Sequence, residues 1–213
     1  MIARRVQDGC QDSLPKAVVF DFGKVISLPP GPALMQALVD RTGRDEKDMA
    51  PLVWRYRKEF DRGTLSGIAY YRAILGPDLA EAEAEALVRL DLDGWKCINT
   101  DTVALMGELR EQGFLLGVLS NMPLEFLVWA REQAPEFRHL HAGIFSCETG
   151  FVKPERPIYE VLLASLSCKA EEVVFFDDIV ENVYGACSLG IRGFVWQDVE
   201  TARRSLRALG VRV

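Results

Sequence analysis

Apolar residues follow two alternating rhythms along most of this chain. Short β-type runs, in which the apolar positions are nearly continuous, occupy residues 17–22, 114–119, 143–146, 173–176 and 193–196. Runs of that length and density suit strands buried on both faces. Between them, stretches with a 3.6-residue period predict helices over 100–111, 124–133, 157–165, 180–189 and 199–209. The first of these helices is opened by the capping signal Asn99-Thr100-Asp101. Strands that alternate with helices in this way imply an α/β protein with a doubly wound, Rossmann-like parallel sheet.

One long stretch breaks the alternation. The segment from Ser27 to Pro32 carries three prolines and a glycine, which is loop chemistry rather than a crossover helix. Residues 33–41, 47–61, 68–75 and 79–92 then read as helical, with Gly43, Gly63, Gly67 and Gly76-Pro77 as punctuation. No β-rich run interrupts them, so a bundle of about four helices is expected. The expected organisation is an α/β core of residues 16–27 and 97–213, with residues 28–96 as a helical module inserted after the first strand.

A chain of 213 residues with 49% hydrophobic content can bury one substantial core and still carry such a module. Its net charge of −6 and the absence of a basic stripe argue against nucleic acid or an anionic membrane as partner, which leaves a small soluble ligand. Five scattered cysteines, Cys10, Cys97, Cys147, Cys168 and Cys187, form no Cys-x-x-Cys and suit reduced thiols in the cytoplasm. The opening segment, with Arg4, Arg5, Asp8 and Asp12, lacks the apolar run of a signal peptide, and nothing later approaches a membrane span. The two histidines, His139 and His141, have no acidic company, so a surface loop or strand edge suits them better than a zinc site or a Ser-His-Asp triad.

The candidate chemistry lies where strands end. Asp21 ends Ala-Val-Val-Phe-Asp, a position from which a carboxylate could attack phosphorus, although an aspartate there also caps turns. Ser120 and Asn121 follow the second strand and precede Met122-Pro123; a hydroxyl and backbone N–H groups before a helix bind anions, and the same residues also serve as an ordinary N-cap. Lys153 sits in a Gly- and Pro-bounded loop and could bind a phosphoryl group or simply be solvated. Asp177 and Asp178 directly follow Val-Val-Phe-Phe, and adjacent carboxylates repel each other unless a cation lies beside them. Mg2+ suits such a pair, because it takes one or two carboxylates together with water and phosphate oxygens.

Taken in order, Asp21 in Phe-Asp-Phe-Gly, Ser120-Asn121, Lys153 in Phe-Val-Lys-Pro and Asp177-Asp178 resemble the four motifs of the haloacid dehalogenase-like (HAD) hydrolases. The run from Ile179 to Ala186 resembles the continuation of the family's fourth motif, and the run from Phe60 to Ser66 a segment of its inserted cap. Within the family the chain looks most like the α-glucose-1-phosphate phosphatases and the phosphatase domain fused to soluble epoxide hydrolases. The resemblance implies that Asp21 is the nucleophile and that Ser120, Asn121 and Lys153 bind phosphate, with Lys153 also holding Asp21 ionised. It further implies that Asp21, the Gly23 carbonyl, Asp177 and Asp178 hold Mg2+. The implied activity is a Mg2+-dependent phosphatase of a small phosphorylated metabolite, acting through an aspartyl phosphate as a monomer or homodimer. Trp54, Arg55, Arg57, Lys58, Tyr70 and Tyr71 are candidates to face the substrate from the cap.

One position departs from the pattern. Most HAD phosphatases carry a second aspartate two residues after the nucleophile as general acid, and this chain has Gly23 there, as some members of the suggested subgroup also do. General acid catalysis is worth about 10² to 10⁴ in rate, so leaving groups that depart unaided are favoured. Two other readings follow: a 2-haloacid dehalogenase, which would have little use for Asp177-Asp178, and a non-catalytic HAD-fold binding protein.

Overall fold

The computed structural model describes residues 14–213; the charged opening segment and Cys10 lie outside the described residues. The strands are β1 (Ala17–Phe20), β2 (Leu115–Ser120), β3 (Ala142–Phe145), β4 (Val173–Asp177) and β5 (Arg192–Val195). They form one parallel sheet in the order β3-β2-β1-β4-β5. The α/β doubly wound class expected from the alternation is the class observed.

The helices are α1 (Ala33–Thr42), α2 (Glu46–Arg62), α3 (Gly67–Leu75), α4 (Glu81–Gly94), α5 (Thr100–Glu111), α6 (Leu124–Gln133), a single turn α7 (Ser146–Thr149), α8 (Arg156–Leu166), α9 (Val180–Cys187) and α10 (Val199–Ala208). Ser146, read as the end of a strand, instead opens α7. His139 lies in a short 3-10 turn, and His141 precedes the edge strand β3, where its Nδ1 accepts the Leu116 N–H at 3.0 Å.

Parallel strands covered on both faces must be apolar at every position, and β1 meets this condition with all four residues fully buried. Its side chains divide by pleat: Val18 and Phe20 enter one core with Val174 and Phe176, while Ala17 and Val19 enter the other with Val173 and Phe175. Phe20 and Phe176 stack at 5.6 Å across the β1–β4 pair. The central strands are thereby locked in one register, because a slip by a single residue would exchange the two faces.

Helices α1 to α4 bury a third core of their own, which includes Leu38, Met49, Phe60, Tyr70 and Tyr71. Gly43 and Gly63 close α1 and α2 at φ 67° and 82°, a left-handed geometry that glycine adopts without a Cβ clash. The chain leaves and rejoins the sheet along one seam: Leu28 N–H donates to Cys97 C=O at 2.7 Å, and Asn99 N–H to Ile26 C=O at 2.8 Å. Thr102, on α5, donates its hydroxyl to Val25 C=O at 2.7 Å and fastens the same seam from within.

Away from the seam, charge and polar pairing hold the helical layer to the sheet layer. Arg62 reaches Glu155 at 2.7 Å and donates to Gly150 C=O at 2.7 Å, and Glu125 on α6 accepts the Gly67 N–H that begins α3 at 2.8 Å. Ser146 donates its hydroxyl to Asp61 C=O at 2.5 Å. A crevice is left between the layers, above the carboxyl ends of β1 and β2. Strand order reverses about β1, and this is where ligands bind in open α/β sheets.

Candidate active site

The sheet delivers the predicted residues to one place. Asp21 follows β1 and is followed in turn by a single wide turn, Phe22–Ile26. Asp177 ends β4, the neighbouring strand, so the two carboxylates project side by side. Lys153 arrives from the loop between α7 and α8, and its Nζ lies 2.8 Å from Asp21 Oδ1 and 2.6 Å from Asp177 Oδ2. It also donates to Leu119 C=O at 2.8 Å, which directs all three ammonium protons to acceptors.

Lys153 is 3% exposed, a burial that a charged lysine tolerates only when fully paired. Burial works to lower its pKa, and the Asp177 and Asp21 carboxylates outweigh that and raise it. Burial pushes the Asp21 carboxyl above its ordinary range, Lys153 pulls it back, and Asp177 and Asp178 add to the rise.

Several residues orient this ion triplet. The Asn121 amide is spent on the Lys153 backbone, accepting its N–H at 2.8 Å and donating to its C=O at 3.1 Å. In this geometry the side chain of Asn121 holds the lysine loop against β2. Asn182 on α9 donates to both oxygens of Asp177 at 3.1 Å, and the Ile179 N–H donates to Asp177 Oδ1 at 2.8 Å. Gly185 on the same helix leaves room for Pro154, since a Cβ there would come within 2.9 Å of the proline ring and of the Tyr159 hydroxyl.

Asp178 is half-buried and turns toward Lys24, whose Nζ lies 3.2 Å from its Oδ2. Lys24 itself sits at φ 59°, an uncommon conformation for a residue with a Cβ. Asp21, Asp177 and Asp178 each offer one oxygen, and those oxygens all lie within 4.8 Å of one another. Three carboxylates therefore face two ammonium groups, a donor set and charge excess that fit a hard, oxygen-seeking divalent cation.

Ser120 ends β2, is 2% exposed and lines the crevice; among the described residues its hydroxyl has no hydrogen-bond partner. Gly23 lines the same crevice, and a Cβ built on it would lie 3.3 Å from the Trp95 ring. An indole thus faces the side of position 23 where a general-acid carboxylate would project.

The helical layer supplies the opposite wall. Arg57 lines it and binds Asp61 through Nε at 2.8 Å and Asp91 through Nη1 at 3.1 Å. Asp91 also accepts from the Tyr71 hydroxyl at 3.2 Å and from Trp95 Nε1 at 3.3 Å. Burial pushes the Asp61 carboxyl up to about 6 against the opposing pull of Arg57. Of the six candidates to face the substrate from this layer, only Arg57 lines the crevice: Trp54 is 62% exposed, and Tyr70 and Tyr71 are fully buried. Asp61, Asp91, Trp95 and Asn182 escaped the sequence reading of the site. Asn182 and Asp61 each lay in a run that carried a signal, the one after Asp177-Asp178 and the one from Phe60 to Ser66.

Residues 15–190 match the haloacid dehalogenase-like hydrolase family, and the chain belongs to that family. Sesquiterpene phosphatase astK of Aspergillus oryzae is 30% identical over 203 residues, which cover 91% of this chain and 96% of that protein. Bifunctional epoxide hydrolase 2 of Rattus norvegicus is 30% identical over 115 residues, 52% of this chain and 21% of its own length. The match to that relative therefore spans about a fifth of it. Among solved structures, a HAD family enzyme from Bacteroides thetaiotaomicron superposes with a TM-score of 0.76 at 18% identity, covering 92% of this chain and 100% of its own, and shares the fold. That enzyme has also been solved in complex with magnesium and inorganic phosphate.

The Arg57 network gives a stability test. Arg57→Met leaves two buried carboxylates without their cation and should cost about 3–5 kcal/mol at pH 8, read from urea unfolding. The deficit should narrow as the pH falls from 8 toward 6, because loss of Arg57 removes the pull that holds the Asp61 carboxyl down to about 6. A carboxyl whose folded pKa is raised binds its proton more readily in the folded state, so stability is lost as pH rises and regained as it falls.

Proposed function

We propose that this hydrolase is a Mg2+-dependent phosphatase that cleaves a small phosphorylated metabolite by phosphoryl transfer to Asp21. The observation that carries the reading is the buried Lys153 shared by Asp21 and Asp177, beside the Ser120 hydroxyl, which has no partner among the described residues. The relatives named as phosphatases support the same reaction class. Residues 28–96 are read as a cap inserted after β1, a division supported by their separate core and by the paired connections at Ser27 and Ile98.

In this reading the phosphoryl group sits at the carboxyl ends of β1 and β2. Ser120 and the Asn121 N–H donate to its oxygens, and the Lys153 ammonium faces both the phosphoryl group and Asp21. The Asp21 Oδ2 attacks phosphorus as the ester P–O bond breaks, which forms an aspartyl phosphate and expels the alkoxide, which takes its proton from water. Water then cleaves the acyl phosphate and returns Asp21 as a carboxylate. Asn121 and Asn182 hold Lys153 and Asp177 in position throughout. Asp21, Asp177, Asp178 and the Gly23 carbonyl would hold Mg2+, which when bound offsets the repulsion between carboxylates and phosphate.

No carboxyl stands at position 23 to protonate the leaving oxygen. The oxygens of Asp91, which lines the same crevice, are already committed to Arg57, Tyr71 and Trp95. Rates should therefore follow the acidity of the departing alcohol.

Three measurements test the reading. Asp21→Asn should abolish phosphate release while the variant still folds and unfolds cooperatively in urea, because the amide has the same shape and is a poor nucleophile; activity within tenfold of wild type would refute the mechanism. EDTA should stop turnover and added Mg2+ restore it, with Asp178→Ala needing more Mg2+; halide release from a 2-haloacid, insensitive to EDTA, would establish the dehalogenase reading instead. Gly23→Asp should speed alkyl phosphates by about 10² only when Trp95 is also reduced to alanine, since the indole faces the added side chain.

A further inference from the structure

We propose that the crevice selects the monophosphate ester of an apolar alcohol, one with neither a second charge nor many hydroxyl groups. This deepens the phosphatase reading and rests on it. Beyond the phosphate end, the walls are Phe60, Val88, Leu92 and Trp95 from the helical layer and Phe22 and Phe126 from the sheet layer. An alkyl, alkenyl or aryl group placed among them exchanges water for carbon contact along its whole length.

The polar groups in the walls point to the same class, because their bonding capacity is already used. Arg57 is the only cation among the described residues lining the crevice, and it is held between Asp61 and Asp91. A substrate with a carboxylate or second phosphate would have to compete with two buried aspartates for it. Asp91 is occupied by Arg57, Tyr71 and Trp95, and the Asn121 amide by the Lys153 backbone. With Ser120 taken by the phosphate, the hydroxyls of a polyol would lose water there and find no free side-chain partner among the described residues, a loss that binding sites use to reject substrates.

A chain-length series tests this with leaving groups of similar basicity. Ethyl, butyl and hexyl phosphate are compared with glucose 6-phosphate and 3-phosphoglycerate, all primary alkyl esters, in the presence of Mg2+. We expect kcat/KM to rise roughly three- to fourfold for each methylene from ethyl to hexyl, and the polyol and carboxylate esters to fall at or below ethyl phosphate. Ethyl-, butyl- and hexylphosphonate should inhibit acetyl phosphate hydrolysis in the same order, a readout of binding that does not depend on slow alkyl chemistry. Leu92→Gln and Trp95→Ala should each flatten both series.

A flat or inverted series, with acetyl phosphate still hydrolysed, would overturn the apolar assignment and leave the phosphatase intact. A preference for glucose 6-phosphate or 3-phosphoglycerate would do the same. Failure to hydrolyse acetyl phosphate or any ester would overturn the phosphatase reading and this inference with it.

Discussion

A buried lysine between two aspartates is the constraint around which this molecule is organised. Lys153 is almost wholly removed from water, and its charge is tolerable only while Asp21 and Asp177 lie within hydrogen-bond distance. That requirement binds three elements together: β1, β4 and the loop between α7 and α8. The parallel pairing of β1 with β4 holds the two carboxylates side by side, and the apolar β1 and β4 side chains fix the register that keeps them there. Asn121, Asn182 and the small Gly185 then set the approach of the lysine loop from either side.

The helical layer repeats this device with an arginine in place of the lysine. Arg57 is held between Asp61 and Asp91, and the Tyr71 and Trp95 side chains complete the bonding of Asp91. Because this network is satisfied internally, the rest of that wall is free to be apolar. Trp95 has a part in both features: its indole nitrogen serves the Asp91 network, while its ring faces position 23. The absence of a carboxylate at position 23 and the apolar character of the crevice are therefore linked through one residue.

The acidic residues outnumber the ammonium groups at the phosphate end, whereas the far end of the crevice offers carbon. A divalent cation beside the carboxylates would be needed for an anionic group at that end, while an apolar body would suit the other. The salt bridge from Arg62 to Glu155 and the Glu125 bond to the Gly67 N–H join the two layers.

Much of this was legible before any coordinates. The five strands and the helices between them follow from local periodicity, because a strand buried on both faces and an amphipathic helix leave different apolar spacing in the chain. Asp21, Ser120, Lys153 and the acidic pair stood out because each lies at a strand end or in a Gly- and Pro-bounded loop. Asp61, Asp91 and Trp95 left no such mark, since a lone acid or indole within a helical stretch looks solvated or packed until its neighbours are known. The tyrosines expected to face the substrate are buried for the same reason, as period alone does not say which layer a helix face meets. The sequence by itself determined the elements, the order of the chemical groups and the absence of an acid at position 23. Tertiary structure decided which charges neutralise one another and what lines the crevice, because these depend on contacts between residues far apart in the chain.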